Sequence, residues 1–385
     1  MTRFRKPKVS YPFLIVAAVI AIAGFALCMA TADIQEREYK DLQLRAAMRM
    51  QEAEAYLKER ILEKGGVIEP EDLNKTALMG PEFSEIVTTP GSEDAKRTSL
   101  NPNFAAAMIR WFTESGVEEG DTIAIGSSGS FPGFLIASLC AATEMNVKAS
   151  VIASCGASMH GATRIEYPVF EYLKDLREGG FADFDLIAVS GGGDDDHGTG
   201  LYAAMGFEGT EEIFDNLCLE ACSWSGAEYI KYDSLTDSIR RRLELYPDDV
   251  KLFINIGGAS ANSGSSSYTL NFPQGLVMPQ DAPRIPNVVN KGLNYEYAER
   301  GVPVLNLLNV KLLAQENDIA YDSVPMQKAG EGGVYAVKKY SRAIIIVTLL
   351  LEFATVACGV VLPRLTRGCR PSLPGSKRRN SSSDR

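Results

Sequence analysis

The chain has 385 residues, 45% of them hydrophobic and 23% charged, with a formal net charge of −10. That length holds one large domain or two modest ones, and that charge argues against nucleic acid as a partner. Basic residues gather at both ends, so the long middle is more acidic than the chain as a whole.

Arg3, Arg5, Lys6 and Lys8 precede an uncharged run from Val9 to Ala32. A bilayer core takes roughly 20 helical residues, and positive charge marks the cytoplasmic flank. Residues 1–10 therefore read as a cytoplasmic basic tail and residues 11–32 as a transmembrane helix acting as a signal anchor. The Ala30-Thr31-Ala32 triplet keeps a cleaved signal peptide open as the alternative. Asp33 is a plausible N-cap, and Gly65-Gly66 stops a helix, so residues 33–64 read as a juxtamembrane helix or stalk. Residues 65–100 read as an irregular linker, with a turn at Thr88-Thr89-Pro90-Gly91.

From residue 101 the pattern changes. Asn101-Pro102 starts a helix that runs to about Ser115. Short apolar strands follow at Thr122–Gly126, Ala149–Ala153, Leu186–Val189, Leu252–Ile256 and Val302–Leu308. Helices fit between them at Phe134–Met145, Tyr167–Glu178, Glu211–Ser223 and Leu235–Leu245. Buried strands alternating with helices predict an α/β fold: a mostly parallel, Rossmann-like sheet with helices on both faces, over residues 101–337. Ligands of such sheets sit outside the carboxyl ends of the strands.

The first four of these strands run into small or polar residues at that edge. Gly126, Ser127, Ser128, Gly129 and Ser130 lie between a strand and a helix, where glycine admits close backbone approach and free N–H groups attract an anion. Neither the P-loop pattern nor G-x-G-x-x-G is matched. Ser158 and His160 follow the second strand, Gly192, Asp194, Asp195 and His197 the third, and Asn255 and Asn262 bracket the end of the fourth. Together, Asp195 apart, these are the candidate ligand-binding residues. Ser128, His197 and Asp195 could form a serine–histidine–aspartate set, set against a solvated acidic loop at 194–196 and a plain tight turn at 126–130. Ser263–Tyr268 reads as a Ser/Gly lid, and Arg240-Arg241-Arg242 as the decoration of a helix face. No metal site is assigned, no cofactor is identified, and the cysteines are expected to be buried thiols.

Residues 343–362 form a second apolar run, broken only by Glu352 and followed by a basic tail at 363–385. They read as a transmembrane helix that returns the chain, placing both termini in the cytoplasm and the α/β domain outside.

The segments Thr98–Ala106, Gly120–Gly126, Ser128–Pro132, Ser154–Ser158 and Gly191–Gly200 resemble the bacterial poly-gamma-glutamate system protein family, over about residues 85–335. The resemblance implies an accessory role in synthesis or export of that capsule polymer, beside the membrane components of its synthase. It departs at Met159-His160, where the family favours an aromatic, which weakens His160 as a general base. The competing expectation is an extracytoplasmic hydrolase or transferase of γ-glutamyl amides built on serine, histidine and aspartate.

Overall fold

A computed structural model describes residues 10–206 and 208–368. The basic tails expected at 1–10 and 363–385 fall largely outside that range. The chain divides into two compact units, one of residues 36–336 and one that joins the two ends.

The terminal unit holds α1 (Tyr11–Ala30) and a long last helix at Arg342–Gly368. Both are long and apolar enough to cross a membrane. The two helices pack against each other. Gly24 admits the contact: a Cβ there would lie 2.3 Å from the Thr348 side chain. Small residues at a crossing are how apolar helices approach closely when lipid offers no hydrophobic contrast.

The larger unit is built on a seven-stranded sheet. Its strands are β1 (Thr122–Ser128), β2 (Lys148–Ser154), β3 (Asp185–Ser190), β4 (Glu228–Tyr229), β5 (Val250–Ile256), β6 (Gly275–Val277) and β7 (Val304–Leu307). Their order across the sheet is β4-β3-β2-β1-β5-β7-β6. Every pair is parallel except β6 with β7. The chain therefore winds outward from β1 through β2, β3 and β4, then returns to the other side of β1 with β5.

Alternation along the strands loads both faces. Ile123 and Ile125 belong to one buried cluster, with α2 (Lys40–Glu63), α4 (Asn103–Ser115) and α5 (Pro132–Glu144). Ala124, Ile152 and Phe253 belong to a second cluster on the opposite face. That cluster includes Leu235 and Ile239 from the helix Leu235–Leu245, whose bounds match the sequence reading. Pro102 occupies the N-cap of α4, one residue after the expected Asn101, whose Oδ1 accepts from the Asn103 N–H at 3.0 Å.

Three expectations are corrected. The juxtamembrane helix begins at Lys40, not Asp33, and packs on α4 and α5 rather than standing as a stalk. Ala46, Ala47, Met50, Ala53, Leu57 and Ile61 form its buried stripe at helical spacing. The segment 65–100 is not a linker. Val87–Thr89 pairs in parallel with Ala157–Ser158, and α3 (Glu93–Ser99) is buried along its second half. The arginine cluster is split: Arg240 is exposed on its helix, whereas Arg242 is 1% exposed. Cys140, Cys155 and Cys218 are buried free thiols, as expected.

Candidate functional site

The loops singled out in the sequence meet at the carboxyl edge of the sheet. The Gly129 N–H donates to the Ser154 and Gly156 carbonyls at 3.1 Å each, and the Gly129 carbonyl accepts from Ala162 at 2.8 Å. Gly156 donates to the Gly191 carbonyl at 2.8 Å, and Cys155 to that of Ser190 at 2.9 Å. The loops after β1, β2 and β3 are thus knitted backbone to backbone.

Close approach explains two glycines. A Cβ on Gly126 would lie 2.7 Å from the Asn262 amide, and one on Gly257 would lie 2.3 Å from Ser128 Oγ. Gly257 also adopts φ 90°, a region that disfavours side chains. Gly126 with Asn262, and Ser128 with Gly257, therefore fill the junction where the winding reverses between β1 and β5. Ser128 Oγ donates to the Ile256 carbonyl at 3.4 Å, and Ser127 Oγ to that of Ser128 at 3.0 Å. Asn255 is fully buried and donates to Asn306 Oδ1 at 2.9 Å.

The third loop behaves differently. Its outer members serve their own turn: Asp194 is exposed, and Asp195 Oδ1 accepts from the His197 N–H at 3.0 Å and from Thr199 Oγ1 at 2.7 Å. His197 is half-buried, and its Nε2 meets the Tyr232 carbonyl. Among the described residues, no hydrogen bond joins His197 to Ser128, or Asp195 to the His197 ring. The acidic loop is not wholly solvated, because Asp196 is 2% exposed, at φ 69°. Arg242 Nη2 donates to both Asp196 oxygens, at 2.8 and 2.6 Å, and to Ser190 Oγ at 2.7 Å. Ser238 Oγ completes the carboxylate shell, and Ser190 Oγ reaches Ser154 Oγ at 2.8 Å. Gly192, at φ 79°, packs its Cα against the Ser154 side chain. This buried ion pair ties the loop to β2, β3 and the helix Leu235–Leu245, with the Arg242 Nε left without a hydrogen-bond partner.

Beside it, Ser130 and Ser158 belong to a second cluster, organised by a residue the sequence reading passed over. Lys96, on α3, is 2% exposed. Its Nζ donates to the Ser130 carbonyl and lies 2.6 Å from Ser158 Oγ. The Phe131 ring covers it, with the centroid at 4.0 Å. Ser130 Oγ accepts from the Ser158 N–H at 3.0 Å, fixing the two serines together. Burial disfavours the ammonium and pulls the Lys96 pKa down from its ordinary value to about 7. The aromatic face works the other way, favouring the cation by about 1 kcal/mol, but this is the smaller effect against complete burial. His160 follows at φ 61°, 3% exposed, with its Nδ1 unpartnered.

Of the residues expected at the site, Gly126, Ser127, Ser128, Gly129, Ser130, Ser158 and Gly192 share this edge. His197 and Asp194 belong to the exposed rim of the third loop, and Asn255 to a separate amide pair with Asn306. Lys96 was missed because a lysine between Ala95 and Arg97 in a short polar helix reads as solvated. Nothing in its neighbours along the chain marks it as buried. No family model matches the chain, and no curated protein or solved structure matches it either.

Proposed function

We propose that this protein is a membrane-anchored accessory component of a poly-gamma-glutamate synthesis or export system, with a Rossmann-like domain outside the membrane. The observation that carries the reading is convergence. The segments that resemble the family at Ser128–Pro132, Ser154–Ser158 and Gly191–Gly200 are far apart in sequence, yet their backbones hydrogen-bond around one strand edge. A shared motif set that assembles one surface points to a shared ligand or partner rather than to shared packing.

The two apolar helices support the anchoring. The basic residues outside both apolar runs support cytoplasmic termini. The strand order supports the Rossmann-like assignment, because the winding reverses between β1 and β5 where such sheets bind ligands. The helix pair is the natural contact for the synthase membrane components. The net negative charge repels a polyanion at long range. Contact with the polymer is therefore local, at the strand edge that holds Lys96, Ser130 and Ser158.

The test is polymer output, surface-bound and released, from a strain lacking this gene and from the same strain carrying it again. The reading expects loss or mislocalisation of polymer, restored by the gene. Unchanged output would overturn it. The second reading, an outer hydrolase or transferase, gains nothing from Ser128, His197 and Asp195 as they stand. It gains from Lys96 and Ser158.

A further inference from the structure

We propose that Lys96 and Ser158 form a serine–lysine dyad for acyl transfer, with Ser158 as nucleophile and Lys96 as its general base. Four observations meet there. Lys96 Nζ lies 2.6 Å from Ser158 Oγ, within reach for direct proton transfer. Its other polar contact is the Ser130 carbonyl, which orients the amine without supplying a counter-charge. Ser158 ends a short strand held by Val87–Thr89 and by Ser130 Oγ, so its position is fixed from two sides. The backbone then turns sharply through His160 at φ 61°, an uncommon conformation for a side-chain-bearing residue and one that recurs at functional sites.

A serine hydroxyl is a weak nucleophile unless a neighbouring base takes its proton. Lysine serves only when neutral, and a buried lysine without a carboxylate partner is the arrangement that makes it neutral near pH 7. Ser130 is the poorer candidate, since Lys96 meets its carbonyl rather than its hydroxyl. Ser128 is engaged with the Ile256 carbonyl.

The chemistry balances with water as the only co-reactant. The Ser158 hydroxyl gives its proton to Lys96 Nζ as Oγ bonds to an acyl carbon. The ammonium then protonates the departing amine or alcohol as its bond to that carbon breaks. Water, deprotonated by Lys96 in turn, attacks the acyl carbon; the ammonium returns that proton to Ser158 Oγ as the ester bond breaks, releasing a carboxylic acid and restoring the Ser158 hydroxyl and neutral Lys96. Ser158 is 8% exposed, Ser130 7% and Phe131 7%, so the dyad is largely shielded from solvent. The unpartnered Nδ1 of His160 leaves a buried polar atom two residues along, of the kind that a bound ligand or water satisfies. The dyad rests on this geometry alone. Only the choice of a γ-glutamyl amide as natural acyl donor rests on the proposed function.

The experiment treats the full chain, in detergent micelles, with a fluorophosphonate probe, and reads adducts by intact mass and peptide mapping. The expected result is a single adduct on Ser158, lost in Ser158→Ala and formed on the order of 100-fold more slowly in Lys96→Met. The wild-type labelling rate should rise with pH through a midpoint near 7, and that step should vanish in Lys96→Met. Circular dichroism and a cooperative melt establish that each variant is folded. Should Lys96→Met fail to fold, the wild-type pH step and Ser158→Ala still decide. Absence of a Ser158 adduct on folded wild type, or equal rates in Lys96→Met, overturns the dyad. Labelling of Ser158 without cleavage of γ-glutamyl oligomers removes that substrate and leaves the dyad standing.

Discussion

Two buried cations sit at the same edge of the sheet. Arg242 faces Asp196, and both partners are almost fully enclosed. Lys96 faces a carbonyl, a hydroxyl and an aromatic ring. Arginine is always charged, so burying it commits the fold to a carboxylate and a fixed geometry. Lysine can shed its proton, so burying it without a carboxylate leaves a base. The first arrangement holds the third loop in place, with the carboxylate of Asp196 engaged by Arg242, Ser190 and Ser238. The second carries a group that changes protonation in the physiological range.

The largest effect that would sharpen this contrast belongs to the ion pair. Asp196→Ala strands a buried guanidinium and should cost roughly 3–5 kcal/mol, read from urea unfolding of the full chain in detergent. A cost below about 1 kcal/mol, the level of an exposed pair, would erase the distinction.

Lys96 should give the next largest effect, through pH. Its folded pKa lies below its unfolded one, so between about 7 and the ordinary lysine range the unfolded chain holds a proton that the folded chain lacks. Stability attributable to Lys96 therefore rises with pH across that window, by about 2 kcal/mol from pH 7 to 9. Lys96→Met should remove that slope and be at least as stable as wild type at pH 7. A slope that survives the substitution would break the comparison.

Glu54 on α2 is a third buried ionisable side chain, this time an acid. Burial, and then the charge of Asp72, hold its carboxyl well above the usual range. With the folded pKa raised, its contribution to stability is present at low pH and lost as pH climbs past the ordinary glutamate value. Glu54→Gln should be more stable than wild type at pH 8, by about 1 kcal/mol, and equal to it near pH 4. Equality at both pH values would place Glu54 among the satisfied groups. The smallest effect is expected from Arg240→Ala. Arg240 is mostly exposed and pairs with Asp237 at 2.7 Å on its own helix, so its loss should change the unfolding free energy from urea titration by no more than about 0.5 kcal/mol.

These four side chains also mark where the sequence was readable and where it was not. The strands were legible from β-rich apolar runs, but the first three were read short at their carboxyl ends, because Ser127, Ser128, Ser154 and Ser190 look like loop and remain paired. The helix Leu235–Leu245 was read to the residue, with Ser234 accepting from the Asp237 N–H. α2 was placed but misjudged as a stalk. Its contact stripe is largely alanine, a residue that signals helix without signalling burial. The site was half legible: small residues after strands named Ser130 and Ser158, because strand ends are where an α/β sheet leaves its backbone open. Lys96 and Arg242 were invisible, since whether a basic side chain is solvated or buried is set by contacts such as Lys96 with Ser130 and Ser158, 34 and 62 residues away.

The most direct test of the contrast is to titrate Lys96 itself. In the full chain labelled with ¹⁵N-lysine, the Nζ signal missing from Lys96→Met should titrate with a midpoint near 7, well below the ordinary lysine range. If that signal titrates with the rest, Lys96 is an ordinary buried cation and the edge of this sheet holds no base.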